Sequence, residues 1–230
     1  MSGSLVVVGT GIGAAQLTTE ARVEIAGADV VLFLAGDPVS ERVVLELAPH
    51  ARSLEPCYGD SGPGREAYER MVEAILEPAI TGQRVCAAFY GHPGVFVYPA
   101  GRAIERARAL GIDARMLPAV SALDCLFADL GVDPAASGCQ LYEAGDFVRR
   151  RPAIEPAAAL VLWQVGVVDS RAELVAALCL LYGAAHELVV YEASPYPGVG
   201  PAVERIALGE LGRAELTQRS TVYVPPLAPR

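Results

Sequence analysis

The sequence predicts an α/β protein built as two domains. Short apolar, β-branched runs alternate with longer stretches of helical period through the first half of the chain. The apolar runs are near-continuous, which marks strands buried on both faces, and the helical stretches are the crossovers that parallel strands need. A second strand and helix alternation follows residue 138, so the 230 residues are expected to divide near 118–121 into an N-terminal α/β domain, 1–118, and a C-terminal one, 119–230. Ligands of such sheets sit beyond the carboxyl ends of the strands.

In chain order, strands are expected at 5–8, 29–34, 52–55, 84–90 and 112–117, with helices at 17–26, 40–47, 65–77 and 98–110. Tyr68, Met71, Val72, Ile75, Leu76 and Ala79 fall at i, i+3, i+4, i+7, i+8 and i+11, a helix with one apolar stripe that should end or kink just before Pro78. In Pro118-Ala119-Val120-Ser121-Ala122-Leu123-Asp124, a serine precedes an acidic residue by three positions, the pattern of an N-cap. Leu123, Leu126, Phe127 and Leu130 then share a helical face, and Gly131 is placed to stop it. Beyond it a strand at 140–144, a basic proline-containing connector at 147–156, a strand at 160–165, a helix at 171–182, a strand at 187–192, a Gly/Pro-rich loop at 194–201 and a strand at 221–224 complete the chain. The sequence carries no internal repeat and no low-complexity tail.

With 53% hydrophobic residues the chain is neither a disordered tail nor a fibre. Its 18 basic and 27 acidic side chains give a net charge of −9, and the one dense basic run is Arg149-Arg150-Arg151, which argues against a nucleic-acid partner. Five cysteines without a C-x-x-C pair and three scattered histidines point to a reducing compartment with buried thiols and to no metal site. The longest apolar run, 157–168, is too short for a bilayer and contains Gln164, and Met-Ser-Gly-Ser runs straight into the first strand without a charged leader. A soluble, cytoplasmic protein without a membrane partner is expected.

Two glycine motifs stand at strand ends. Gly9-Thr10-Gly11-Ile12-Gly13-Ala14 satisfies G-x-G-x-x-G/A after the first strand, and Asp37 lies at the distance of a ribose-binding acid, so a nicotinamide or flavin enzyme is one reading. Against it, the helical period starts only near Leu17, with Thr18 or Thr19 as cap, and leaves the loop too long to aim helix amides at a pyrophosphate. A glycine turn that only reverses the chain is equally compatible. The second motif, Phe89-Tyr90-Gly91-His92-Pro93-Gly94-Val95-Phe96, forces irregular backbone at the ligand edge of the sheet. There His92 reads as a ligand group or a loop histidine satisfied by backbone, and Tyr90 as a ligand group or a core aromatic.

Gly9-Thr10-Gly11 with Leu17-Thr18, the Gly-His-Pro-Gly loop and Pro118-Ala119-Val120-Ser121-Ala122 resemble, in order and spacing, the S-adenosylmethionine-dependent tetrapyrrole methylase superfamily. Within it, residues 89–96, the stretch 116–130 with Cys125-Leu126-Phe127-Ala128-Asp129-Leu130, and Trp163-Gln164-Val165-Gly166 resemble the borosin backbone N-methyltransferases, over a match running from Leu5 to about Pro226. The resemblance implies a two-domain tetrapyrrole-methylase-like fold with S-adenosylmethionine folded in the interdomain cleft and S-adenosylhomocysteine as product. Carried over by position, the cofactor would touch Tyr90, His92, Val95, Phe96, Ser121, Ala122, Gln164 and Ala193. A helix N-terminus with a serine hydroxyl suits a carboxylate or ribose oxygen, and an aromatic face suits a sulfonium. A plain N-cap is the other reading of Ser121.

A peptide nitrogen shares its lone pair with the carbonyl, so its methylation demands removal of the N–H proton and stabilisation of charge on the amide oxygen. Arg65 and Tyr68 lie three apart on one helical face and resemble catalytic positions of the borosin family, Tyr68 as base and Arg65 as the counter-charge. A phenol, with a reference pKa of about 10, needs such a cation to act near neutrality. Tyr68 also opens the apolar stripe, where a tyrosine is ordinarily a core-edge residue. Tyr58 is a third catalytic candidate, for orienting the substrate carbonyl, and Tyr90 a fourth; the Arg65 to Tyr68 spacing is one residue shorter than the family's, and Pro56 and Gly59 stand where the family carries further tyrosines.

Fused members of the family carry their substrate on the same chain, whereas here the sequence ends at Pro225-Pro226-Leu227-Ala228-Pro229-Arg230. The expectation is therefore the split arrangement, acting on a separate precursor peptide as a homodimer that becomes a heterotetramer with two precursors. A methyltransferase of tetrapyrroles or other small molecules, and a non-catalytic scaffold that binds S-adenosylmethionine, are the alternatives. An anionic macrocycle would favour a more basic cleft.

Overall fold

The structure is a computed structural model describing residues 3–60, 62 and 64–227. The readings of the N-terminal start at 1–2, of Ser61 in the loop before Gly62 and of the last residues, 228–230, lie outside the described residues. The chain forms two compact units: Met1–Leu123 together with the returning segment Pro195–Val199, and Asp124–Ser194 together with the chain from Gly200 onward.

The first unit carries strands β1 (Ser4–Gly9), β2 (Val30–Leu34), β3 (Arg52–Ser53), β4 (Arg84–Phe89) and β5 (Asp113–Met116). They form one sheet in the order β3-β2-β4-β1-β5, with every neighbouring pair parallel. Helices α1 (Thr19–Gly27), α2 (Pro38–Leu47), α3 (Arg65–Ile80) and α4 (Tyr98–Ala109) make the connections. The strands read as uniformly apolar because both faces are covered. Val85, Ala87 and Phe89 of β4, with Leu5, Val7 and Leu32, pack against Met71, Val72, Ile75 and Leu76 of α3 and Ala103, Ile104 and Ala107 of α4. Cys86 and Ala88, with Val8, Val31 and Phe33, turn to Ala21 and Ile25 of α1 and Val44 of α2. Each large side chain so buried stabilises the fold by about 1.5–3 kcal/mol relative to exposure.

Local chemistry sets the helix starts. Thr18 Oγ1 accepts from the Ala21 amide at 3.1 Å and opens α1. Asp37 opens α2, its Oδ1 accepting from the Val39 and Ser40 amides at 2.9 and 3.0 Å and its Oδ2 from the Ser40 hydroxyl at 2.6 Å. Of the end or kink expected before Pro78, the end does not occur: α3 runs through Pro78 to Ile80, where in the last turn the proline forfeits one backbone bond.

The second unit carries β6 (Cys139–Glu143), β7 (Ala159–Trp163), β8 (Glu187–Glu192), β9 (Ala202–Ala207) and β10 (Thr221–Val224), ordered β6-β7-β10-β8-β9. This sheet is mixed: β6 and β7 alone are parallel, and the other neighbours run antiparallel. One of the antiparallel partners is β9, which the sequence reading passed over. It is an edge strand whose largely exposed residues include Glu204 and Arg205, so it lacks the apolar run that marks a buried strand. It pairs with β8 directly, with no helix between. Helices α5 (Ala122–Leu130), α6 (Pro134–Ser137), α7 (Ala144–Arg150) and α8 (Arg171–Tyr182) accompany the sheet. The first part of the expected basic connector, 147–150, is thus helix: Glu143 caps α7 through the Gly145 and Asp146 amides, and Phe147 is buried with Leu162, Leu174 and Leu178.

Candidate functional site

Three of the motifs singled out in the sequence meet at Gly9, where β1 ends. A Cβ there would lie 2.1 Å from the Gly91 carbonyl oxygen, 2.6 Å from the Ala119 Cβ and 2.7 Å from the Pro93 Cδ. Gly11 and Gly91 exchange backbone bonds of 3.3 and 2.9 Å, so the loops after β1 and β4 are locked together at the carboxyl edge of the sheet. The loop after β1 is no dinucleotide cradle. Its Ile12 and Gly13 amides donate to the Gln16 side chain at 2.8 and 3.2 Å, and the Asp37 carboxylate is saturated by its own helix. Both groups a pyrophosphate and ribose would need are already engaged.

Tyr90 follows β4, and its ring lies over Gly36, where a Cβ would come within 2.2 Å of the ring carbon Cδ2. Only a glycine leaves room for that pose. His92 accepts from the Gly94 amide at Nδ1, 2.9 Å away, so the neutral ring carries its proton on Nε2. The Val95 amide closes a turn on the His92 carbonyl at 3.0 Å. Phe96 is half exposed and holds φ at 56°, in the left-handed region. Ser121 is buried immediately before α5, and Ala122 is its first residue.

The second gathering lies on α3 and α4. Tyr58 ends the short 3-10 turn Glu55–Tyr58, which α3 holds through Arg70: Nε donates to the Cys57 carbonyl at 2.8 Å and Nη2 to the Tyr58 carbonyl at 3.3 Å. Tyr58 and Tyr68 both pack at the margin of the same core. Burial, then the neighbouring Tyr68 and Glu55, push the Tyr58 phenol up from its ordinary value, so it stays protonated at neutral pH. Arg65, the first residue of α3, stands one turn before Tyr68. The Tyr68 ring meets that of Tyr98 with centroids 6.1 Å apart, and the Tyr98 hydroxyl donates to Glu69 at 2.6 Å. Tyr98, Glu69 and Arg70 were not singled out in the sequence. An exposed tyrosine at a helix start and charges on a helix face carry no signal until the two helices pack.

Gln164 and Ala193 belong to the second unit and stand just after β7 and β8. Gln164 holds φ at 56°. Gly166, two residues on, receives the Thr217 carbonyl oxygen 2.0 Å from where a Cβ would be, so no larger residue fits there. Among the described residues, the non-glycines with positive φ are Phe96, Arg151 and Gln164, two of them positions picked out for the cofactor. Such conformations cost energy and are held where surrounding structure imposes them. In the same unit, the fully buried Tyr191 donates its hydroxyl to Asp129 of α5 at 2.6 Å.

Among the described residues no group of three or more His, Cys, Asp and Glu is gathered as a metal site would be, and no helix is long and apolar enough to cross a membrane. Residues 4–213 match the family model of tetrapyrrole (corrin/porphyrin) methylases. The chain is 39% identical to the methyltransferase and ribosomally synthesized cyclic peptide omphalotin A precursor of Omphalotus olearius, covering 99% of this chain and 58% of that protein. It is 37% identical to the methyltransferase and type I borosin cyclic peptide precursor of Coprinopsis marcescibilis, over 99% of this chain and 63% of that one. It therefore spans about three fifths of the length of these relatives. In fold it is similar to the uroporphyrin-III-C-methyltransferase of Thermus thermophilus, with a TM-score of 0.72 at 23% identity, over 98% of this chain and 93% of that one.

Proposed function

The chain belongs to the tetrapyrrole methylase family, and on that premise we propose that it is an S-adenosylmethionine-dependent methyltransferase that methylates backbone amide nitrogens of a separate ribosomal precursor peptide. Relatives whose names join a methyltransferase to a borosin or cyclic peptide precursor support the substrate class. The observation that carries the chemistry is the face of α3 that sets Arg65 one turn before Tyr68, with the protonated Tyr58 phenol at the same core margin.

S-adenosylmethionine supplies the electrophilic methyl group. Tyr90, His92, Val95 and Phe96 after β4, Ser121 and Ala122 at the start of α5, and Gln164 and Ala193 after β7 and β8 are the residues proposed to hold it. The glycine beneath Tyr90 and the imposed backbone at Phe96 and Gln164 fit that role, since they fix ring and carbonyl positions before a ligand arrives. Tyr58, as a donor, orients the substrate carbonyl and shares the charge that builds on its oxygen. Tyr68 takes the amide proton onto its phenolate oxygen, and the Arg65 guanidinium provides the balancing positive charge. The proposed assembly is a cytoplasmic homodimer that binds two precursors.

The test incubates the purified protein with S-adenosylmethionine and a synthetic precursor peptide as a separate chain, read by intact mass and fragmentation. Successive one-methyl steps localised to backbone nitrogens support the proposal. Methylation of side chains or of a tetrapyrrole, or cofactor binding without any transfer, overturns it.

A further inference from the structure

Glu69 lies four residues after Arg65 on α3, the spacing at which opposite charges on a helix meet. The pair does not form. Both carboxylate oxygens of Glu69 are taken by α4: Oε1 accepts from the Tyr98 hydroxyl at 2.6 Å, and Oε2 faces Nη1 of Arg106 at 3.8 Å. Arg106 also pairs with Glu73 at 2.6 Å, so α4 engages Glu69 and Glu73 along this face of α3. The strands beneath α3 contribute the apolar side chains Leu5, Val7, Val85, Ala87 and Phe89 to the core it covers. Arg65 has no ion pair among the described residues. Tyr98, meanwhile, is the residue whose ring lies against Tyr68.

We infer that Tyr98, with Arg106, holds Glu69 away from Arg65, and that Tyr98 is thereby a positioning residue which keeps the Arg65 guanidinium uncompensated beside Tyr68. The inference deepens the proposed function and rests on it for its catalytic meaning, but its geometric content stands alone. Without the Tyr98 hydroxyl, Glu69 loses its closest partner and turns along α3 to Arg65. The positive charge meant for the phenolate and amide oxygen is then neutralised from within the same helix.

The experiment compares the wild-type chain, Tyr98→Phe and the double variant Tyr98→Phe/Glu69→Gln. Tyr98→Phe keeps the ring against Tyr68 and is expected to lower kcat for peptide methylation about tenfold or more while leaving KM and the dissociation constant for S-adenosylmethionine unchanged. The double variant recovers most of the loss, because a glutamine cannot neutralise Arg65. In parallel, the nitrogen-15 signal of the Arg65 Nε–H, assigned by its absence in Arg65→Lys, should move and exchange more slowly in Tyr98→Phe and return in the double variant. An unchanged kcat in Tyr98→Phe, or a double variant as slow as the single one, overturns the inference. So does an Arg65 signal that ignores Tyr98. If the wild-type chain methylates no peptide, the functional proposal fails and the nuclear magnetic resonance comparison alone decides the positioning.

Discussion

The first unit holds its two candidate regions by opposite means. At the carboxyl edge of the sheet, the loops after β1 and β4 are fixed by close approach to glycines, with Gly9 under the Gly91 carbonyl, Ala119 and Pro93 and Gly36 under the Tyr90 ring. On α3 and α4, side chains hold side chains: Tyr98 to Glu69, Arg106 to Glu69 and Glu73, Arg70 to the Tyr58 turn. The first kind of contact leaves little room for more than hydrogen and is indifferent to charge. The second kind tolerates changes of volume and depends on charge and hydroxyl groups. Damage to the loops should therefore appear in folding and cofactor binding, and damage to the helical face in turnover.

The strongest challenge to that contrast is Gly9→Val. It drives carbon into a backbone carbonyl and should cost at least the upper end of the roughly 1–3 kcal/mol typical of overpacking, giving a chain that melts far below wild type or does not accumulate. A normal melting temperature would break the comparison on the loop side. Next comes Tyr68→Phe, which removes one oxygen from the core margin. It should leave the melting temperature and S-adenosylmethionine binding near wild type and slow peptide methylation about a hundredfold or more. A matching loss of cofactor affinity would mean that the helical face is not separable from the loops. Gly36→Ala is milder than Gly9→Val, because the obstacle is a side-chain ring that can swing away. Calorimetry should show weaker S-adenosylmethionine binding with a melting temperature lowered by only a few degrees, on the order of 1 kcal/mol.

The smallest effect belongs to neither region. Asp29, ahead of β2, accepts from the Arg84 amide and guanidinium, and those bonds hold its carboxyl at about 2, below the reference 3.8. A carboxyl with a depressed folded-state value stabilises above its unfolded value and loses that contribution as pH falls through the folded one. The stability gap between wild type and Asp29→Asn should thus be present, though small, at neutral pH and close as the melts are repeated toward pH 2. A gap that widens in acid would contradict the assignment.

The same contrast explains what could be read from the sequence. Gly9 and Gly91 stand in recognisable motifs because contact distances at the first and a φ of 71° at the second favour glycine, and such demands write themselves into the letters. Tyr90, His92, Ser121 and Gln164 were named from the resemblance and not from any such exclusion. Gly36 stayed out of view because its reason is a ring more than fifty residues away. Tyr98 and Glu69 were missed because neither belongs to a motif, and their meaning arises only when α3 and α4 pack. The parallel sheet was legible from uniformly apolar strands, whereas β9 was not, since an exposed edge strand with Glu204 and Arg205 has the composition of a loop. Gly9-Thr10-Gly11 drew a dinucleotide reading because a pattern of letters says nothing about Gln16, which takes the amides that a phosphate would need.

The segment Pro195–Val199 returns to the first unit, and the Pro195 carbonyl sits 2.5 Å from where a side chain on Gly13 would begin. During synthesis the ribosome delivers Gly13 early and Pro195 only after β6, β7 and β8 have emerged. The loop after β1 therefore remains unroofed while most of the chain is made, and its closure is a long-range event late in folding. A nascent chain halted before residue 195 would hold an assembled parallel sheet with the Gly13 loop still open to chaperones and proteases.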